Sequence, residues 1–595
     1  MRRLLLVMFG AGLLGCGDKD DTGAIPDPGD DSGDTDTPDD SGDTAPVDDT
    51  GDTKGDGDYD NDGSPDDEDC SDTDPEVYPG AEEIPYDGID QDCDGYDLTD
   101  WDDDGFDSEQ VGGDDCNDED PAIHPDAEDV IGNKTDDDCD GEVDEGVEEI
   151  PEDFPLTLSG SGAATSRFIA VDAKGYLLLG GNFTGEIDFH PYDDHVEESA
   201  AANGDIFLTS FESTGAYRWT WVGSSDDSIT LNAMATDSDG NILIAGSFSG
   251  TADFDYGPGE YPVTATGGTD AFVARLSGAG EILWVSTFGG KADDSALTVA
   301  GGSSGRAYVA GSFSESVTFI DKDGEVTASG NTDAWMMQLG ASGDASWTAT
   351  FGGKGATAMG LSITSDSGND VTLAGAYSGS IALDSETTTA SGDGIFLAEH
   401  DLEGTQTWSL SLPGALSVGA LVTDSSDGLL LGGTLSGSAD FDSSSDSETT
   451  LTASGTDGFL CWLDSSGSFT DAALYGGSSD DTIDALALDP SDDIYVAGTF
   501  SGTMTVETHS ETASGGQDVF ALRLSSVGAL DWMMRIGNGT DDGTAGVATD
   551  ADNRGWLAGS FTDALDLDPT EGEDERQAPD GSSGAWAVRV GSGGP

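Results

Sequence analysis

Between residues 154 and 590 the apolar positions fall in short runs, broken by Gly, Ser, Thr and Asp, with no 3.6-residue periodicity. Runs of about four to eight residues, rich in β-branched and aromatic side chains, predict strands rather than helices. The runs recur in a fixed order. A Gly-x-[Phe/Tyr/Leu]-[Ser/Thr] unit starts at Gly181, Gly246, Gly311, Gly375, Gly433, Gly498 and Gly559, at intervals of 65, 65, 64, 58, 65 and 61 residues. An apolar strand such as Ile242–Ala245 or Ile494–Ala497 precedes it. An Asp-x-aromatic strand follows, as in Asp205-Ile-Phe207, Asp270-Ala-Phe272, Asp333-Ala-Trp335, Asp457-Gly-Phe459 and Asp518-Val-Phe520. Fourteen residues beyond the Asp comes Trp219, Trp284, Trp347 or Trp532; the fourth copy shifts this to Trp408. The fifth has Asp471 there, with Cys461 on the strand before it.

Seven copies of about 60 residues with four strands each predict an all-β fold, a seven-bladed β-propeller over residues 154–590. One copy cannot bury both faces of its sheet; stacking in a ring does so. The chain ends on a third strand, Ala585–Val590, with no fourth after it. Residues Pro155–Ser159 stand alone ahead of the first copy, at the register of a fourth strand. The expectation is therefore closure by the N-terminal strand, which completes the blade built from residues 545–590 and removes the exposed edges. Asp270–Leu276, Trp284, Phe288–Gly290 and Val309–Ser314 resemble the bacterial SBBP-type β-propeller repeats. That resemblance implies the fold and says little about function.

Charge changes the picture at the N-terminal end. The chain carries 122 acidic and 18 basic residues, a net charge of −104, and residues 1–153 hold half of it. Such acidity excludes unaided nucleic-acid binding, which needs Lys and Arg, and disfavours docking on anionic lipid. Arg2 and Arg3 precede the apolar run Leu4–Leu14, then Gly15 and Cys16. The run is too short to cross a bilayer and reads as an export signal over residues 1–15. Leu13-Leu14-Gly15-Cys16 resembles the lipobox of bacterial lipoproteins, which implies lipidation at Cys16 and durable membrane anchoring. Residues 16–57 contain no aromatic side chain, and a nine-residue Asp-[Ser/Thr]-Gly-Asp-Thr repeat begins at Asp31, Asp40 and Asp49. This composition predicts a disordered acidic stalk.

Two units follow, residues 58–99 and 100–146, joined to the propeller by a linker over 147–153. The first opens on Asp58-x-Asp60-x-Asp62-Gly63 and closes on Asp90-x-Asp92-x-Asp94-Gly95. The second opens on Asp100-x-Asp102-x-Asp104-Gly105 and closes on Asp136-x-Asp138-x-Asp140-Gly141. Alternate carboxylates followed by a turn-permitting glycine wrap a loop around one hard cation, with Ca²⁺ the expected ion. Asp69 occupies the twelfth position of the first loop and can close it; the other loops lack an acid there and are expected to share ligands. Neither a His cluster nor a Cys-x-x-Cys pair supports zinc or copper. Cys70, Cys93, Cys116 and Cys139 are spaced by 23 residues. The repeat favours Cys70–Cys93 and Cys116–Cys139, while spacing alone equally allows Cys93–Cys116. Modules this small need such staples and metal together. Residues 56–145 also resemble a metal-binding motif repeated in secreted and surface proteins of some bacteria, which implies an accessory calcium-type module.

The propeller shows no site of visible chemistry. The five histidines, His124, His190, His195, His400 and His509, form no ligand spacing. Gly301-Gly-Ser303-Ser-Gly305 lies in a turn with no helix after it, unlike a nucleophile elbow. The recurring Asp is read as a turn cap and the Trp series as packing. Three acidic loops, starting at Asp188, Asp253 and Asp566, bind calcium at the rim or simply solvate it. The sequence points to a lipid-anchored, exported, non-enzymatic binding or scaffold protein of the bacterial cell envelope, on the outer membrane. Its calcium modules would present a monomeric propeller to a protein or glycan. The alternatives are a hydrolase or lyase with its site in the funnel, near Asp471 or His400, and a structural coat component.

Overall fold

The computed structural model describes residues 57–102, 104–118, 120–125, 127 and 139, and residues 155–591 except 191–196, 201–203, 256–260, 323, 384–392, 443–448, 538, 540, 563, 568–574 and 579–582. The signal, Cys16, the stalk up to residue 56, the loop acids Asp136, Asp138 and Asp140, and His195 lie outside the described residues. Residues divide into two compact units, Met1–Thr99 and Asp100–Pro595.

Among the described residues the structure is all-β, with two single-turn 3₁₀ segments, Glu109–Val111 and Ser303–Gly305, and no α-helix. Strands pair in sequence order into four-stranded antiparallel arrays, the repeated element of a β-propeller. The first array is Ala163–Val171, Leu177–Thr184, Asp205–Phe211 and Tyr217–Ser225. The second runs from Ser228–Thr236 to Ile282–Gly290, and the third from Asp294–Gly301 to Ala345–Phe351. Strands Thr357–Ser365 to Gln406–Pro413 form the fourth. Ala415–Thr423 to Phe469–Gly477 form the fifth, and Ala485–Leu488 to Leu530–Ile536 the sixth. Gly543–Thr549, Gly555–Thr562 and Ser583–Val590 then pair in turn, and Leu156–Gly160 adds to Ser583–Val590 with Leu156 opposite Ala587.

The Gly-x-aromatic unit has a steric cause. In six arrays the first strand bulges opposite the motif glycine, as between Leu231 and Ala233. At Gly181, Gly246, Gly375, Gly498 and Gly559 a first-strand carbonyl and the aromatic ring of the third strand both crowd the motif glycine. A methyl group on Gly246 would lie 2.1 Å from the Thr230 carbonyl oxygen and 2.5 Å from the Phe272 ring. Gly498 stands in the same relation to Thr482 and Phe520. The repeated glycine and the repeated Asp-x-aromatic strand are thus two halves of one contact.

Between arrays the tryptophans pack on the turn of the next copy. A methyl group on Gly280, Gly343 or Gly404 would strike Trp219, Trp284 or Trp347, and their indole N–H groups donate to Gly278, Ala341 and Leu402 carbonyls at 3.2, 3.0 and 3.2 Å. The fifth array, which carries Asp471 in place of Trp, uses Trp462, its cross-strand partner, against Gly528. Extensions after the motif also cross between arrays: Ala252 pairs with Ser225, Val317 with Gly290, Met504 with Gly477, and Ile187 with Gly160.

Candidate metal centre

Three D-x-D-x-D-G loops lie within the described residues, and they share one backbone geometry. The carboxylate of the first Asp accepts from the N–H of the glycine at position six: Gly63 to Asp58 at 3.2 Å, Gly95 to Asp90 at 2.9 Å and Gly105 to Asp100 at 2.9 Å. The fifth-position Asp accepts from the N–H two residues on, at Ser64, Tyr96 and Phe106. The glycines sit at φ 105°, 106° and 103°, a region closed to most side chains, which is why this position is Gly. Asp90 and Asp100 accept loop N–H groups with both oxygens, whereas Asp58, Asp62, Asp102 and Asp104 each keep one oxygen that no such bond uses and Asp60 keeps two.

The acids of each loop converge. Asp58, Asp60 and Asp62 bring ligand atoms within 4.8 Å of one another, as do Glu83, Asp90 and Asp92, and Asp100, Asp102 and Asp118. In the first loop Asp58 Oδ1, both oxygens of Asp60 and Asp62 Oδ2 are shielded from solvent and accept no hydrogen bond. In the second module the same holds for Asp102 Oδ2, Asp104 Oδ2 and Asp115 Oδ2. Loss of solvation, with repulsion from Asp62, Asp69 and Asp58, pushes the Asp60 carboxyl above its usual range. Asp102 is pushed up likewise, with Asp104, Asp115 and Asp100 around it. Clustered oxygens without donors fit a hard cation, which replaces lost water with direct ligation.

Asp69 lies among the acids acting on Asp60, where its twelfth position puts it. Its counterpart in the second module is Asp115, which follows at position sixteen; the twelfth position is Val111, without an acid, as the sequence reading has it. The extra residues form the 3₁₀ turn Glu109–Val111, with Ser108 Oγ accepting from Gln110 N–H at 3.3 Å and Gly112 ending it at φ 92°. A bridge between Ser108 and Asp115 restores the register. The available signal was the Asp-Cys step, shared by Asp69-Cys70 and Asp115-Cys116. Glu83 and Asp118 also join the clusters without any motif to announce them. Glu83 accepts from Asp92 and Leu98 N–H groups at 2.7 and 3.3 Å, and Asp118 from Trp101 N–H at 3.2 Å. Asp94 is exposed and serves its own loop.

The disulfides are Cys70–Cys93 and Cys116–Cys139. Cys93 and Cys139 stand at position four of the closing loops with φ 62° and 59°, and each partner follows the closing acid of the opening loop. Every disulfide thus ties two cation loops of one module together. The sulfurs beside Asp69 and Asp115 are oxidised and offer no thiolate, and His124 is stacked on Phe106 at 5.1 Å. The donors of the Asp58, Asp90 and Asp100 clusters are carboxylate oxygens.

In the arrays, the recurring Asp caps its own approach turn. Asp270, Asp333, Asp457 and Asp518 accept backbone N–H groups of Thr266, Ser329, Ser454 and Ser514 at 2.7–2.9 Å. Asp471 is exposed on a fourth strand. His400 is buried, stacked on Trp347 at 5.7 Å, and burial pushes its pKa down to about 4. Turns after the first strands of the first, fifth, sixth and seventh arrays border an open depression of about 430 Å³ whose lining includes Asp172, Asp489, Asp492 and Asp550.

The Cu-binding MopE family, described as a "putative metal-binding motif", matches residues 69–97 and 115–145. Regulatory protein FlaEY of Caulobacter vibrioides is 27% identical over 351 residues, 56% of this chain and 36% of that protein. The uncharacterized WD repeat-containing protein L264 of Acanthamoeba polyphaga mimivirus is 28% identical over 134 residues, 20% of this chain and 10% of that protein. The chain therefore spans about a third or less of the curated relatives it matches. Among solved structures, the β-propeller domain of the Trilobed protease from Pyrococcus furiosus has a TM-score of 0.35 at 9% identity, covering 70% of this chain and 96% of that one. YCF48 bound to D1 peptide has a TM-score of 0.33 at 8% identity, covering 68% and 92%. The family match is thus confined to the two N-terminal modules.

Proposed function

We propose that this is an exported, lipid-anchored, non-enzymatic binding protein of the bacterial cell envelope. Calcium-loaded modules would present a seven-bladed, closed β-propeller to a partner. The observation that carries the reading is the convergence of shielded, donor-free carboxylate oxygens at Asp58, Asp60 and Asp62, and again at Asp102, Asp104 and Asp115. All-oxygen carboxylate donors favour Ca²⁺ over the copper in the matched family's name, which prefers nitrogen or sulfur ligands. Asp69, Asp90, Asp92, Asp94 and Asp100, and by repetition Asp136, Asp138 and Asp140, complete the ligand set of this reading. Membrane attachment at Cys16 rests on the sequence alone.

Ring closure is supported by the Leu156–Gly160 strand on Ser583–Val590. It is supported too by Ile187 pairing with Gly160, the kind of step that joins other consecutive arrays. Leu156, Leu158, Leu177, Phe183 and Trp556 share one core cluster drawn from both ends of the domain. A passive role is supported by the use of the recurrent Asp and Trp residues in capping and packing.

Calorimetric titration of the full-length chain, with Ca²⁺, Mg²⁺ and Cu²⁺ in parallel, tests the metal assignment. Saturable Ca²⁺ heat that is lost in a D60N/D102N variant is expected. Copper binding that survives both substitutions, or no calcium heat at all, overturns it.

A further inference from the structure

Two junctions between consecutive arrays bury a pair of carboxyl groups without a positive partner. At the second–third junction these are Asp270, first residue of a third strand, and Asp294, first residue of the next array. They are 3% and 1% exposed. At the fifth–sixth junction they are Asp457 and Asp481, 6% and 0% exposed. The arrangement repeats in detail. Asp270 Oδ2 accepts from Thr266 N–H and Asp457 Oδ2 from Ser454 N–H. Asp294 Oδ2 accepts from Gly290 N–H at 2.7 Å and Asp481 Oδ2 from Gly477 N–H at 2.6 Å. In each pair one oxygen, Asp270 Oδ1 or Asp457 Oδ1, is shielded from solvent and meets no donor.

Each orphan oxygen belongs to an acid whose charge acts on the second acid of its junction, Asp270 on Asp294 and Asp457 on Asp481. A methyl group on Gly476 would lie 2.6 Å from Asp457 Oδ1 and 2.7 Å from Asp481 Oδ2, so both border one small space. At the other junction the corresponding Gly289 borders the Asp270 carboxyl, with Oδ1 at 2.3 Å from the same hypothetical methyl group. The other charged groups acting on Asp294 and Asp481 are the exposed acids Asp293 and Asp480. No Lys, Arg or His forms an ion pair with any of the four among the described residues, and Lys291, in the adjoining turn, is exposed.

Two other junctions show what the pairs lack. At the third–fourth junction the second acid is replaced by Ala358, opposite Tyr377 as Asp294 is opposite Phe313, and lone Asp333 has both oxygens satisfied, by Ser329 and Gly330 N–H groups at 2.7 and 3.0 Å. At the sixth–seventh junction Arg535 donates to Asp518 Oδ2 at 2.8 Å. Lone Asp333 needs no cation; in the sixth array an arginine supplies one at Asp518 Oδ2, while Asp518 Oδ1 still meets no donor. Two adjacent buried carboxylates cannot both stay ionised without a counter-charge, and a space that a methyl group would overfill cannot hold the six to eight oxygens of Ca²⁺.

We propose that Asp270–Asp294 and Asp457–Asp481 are proton-sharing carboxyl pairs that staple neighbouring arrays together and loosen when deprotonated. One O–H···O bond per pair gives the donor-free oxygen its partner, with the proton taken from and returned to solvent. Burial in the first place pushes Asp294 up to about 7 and Asp481 to about 6. A carboxyl that holds its proton more tightly when folded stabilises the fold fully below its ordinary pKa of 3.8. That contribution is lost as pH rises through about 6 to 7.

The test is a D294N/D481N variant of the full-length chain, melted from pH 5 to 8. Asn keeps the acceptor for Gly290 or Gly477 N–H and donates permanently to the orphan oxygen. Wild type is expected to lose thermal stability across that range, and the variant to melt about 2–4 °C above it at pH 8 with a flatter profile. A D293N/D480N control removes the same charge at the exposed neighbours and should keep the wild-type slope. Infrared difference spectra should show protonated-carboxyl absorption in wild type near pH 6 that the variant lacks. Equal slopes in wild type and variant, or no such absorption, overturn the proposal. So does calcium rescue of wild type at pH 8 that the variant loses, since the pairs would then be cation sites.

Discussion

Single residues in this chain are chosen by what occupies the space beside them. Gly246 exists because Phe272 and the Thr230 carbonyl stand where its side chain would be. Gly246→Ala should therefore destabilise the domain by about 1–3 kcal/mol through overpacking, read from the denaturation midpoint. Asp115 is selected by position in space, not in sequence. D115N should remove about one calcium equivalent from the titration and leave the first module's binding intact. The ligand types were legible in the D-x-D-x-D-G spacing, because a loop that folds on its own N–H groups records its geometry in consecutive residues. Asp115, Glu83 and Asp118 were not, because an inserted turn or a separate segment delivers them.

Among elements, each module couples two loops through one covalent link. Cys70 and Cys93 are 23 residues apart, and a loop of that length contributes about 3 kcal/mol through restriction of the unfolded chain. Removing the pair with C70A/C93A should weaken calcium at both the Asp58 and Asp90 loops, not at one. Titration of this variant beside wild type, with protease sensitivity followed in EDTA, checks it. The array elements were legible for a related reason: the copies repeat, so a weak strand signal is seen several times over. What repetition concealed was substitution between elements. The fifth array lacks the expected Trp at Asp471, and only its cross-strand register shows Trp462 taking that place.

For the whole molecule, the first described strand stabilises the last. Leu156 and Leu158 are fully buried beside residues from 548 to 587. L156D/L158D should remove about 3–6 kcal/mol of apolar burial and open a new proteolytic cut between Gly543 and Val590, read by mass spectrometry of the fragments. A protease map unchanged from wild type would argue against closure of the ring. The sequence by itself determined the period, the strand order, the cation-loop motif and the cysteine positions, since each is a local pattern of side chains bonding to their own turns. Tertiary structure alone decided which acids meet across array junctions, which acid closes the second module's loop and how the tryptophans seat. Those contacts join residues distant in the chain, and register, burial and close packing, not neighbouring residue types, select them.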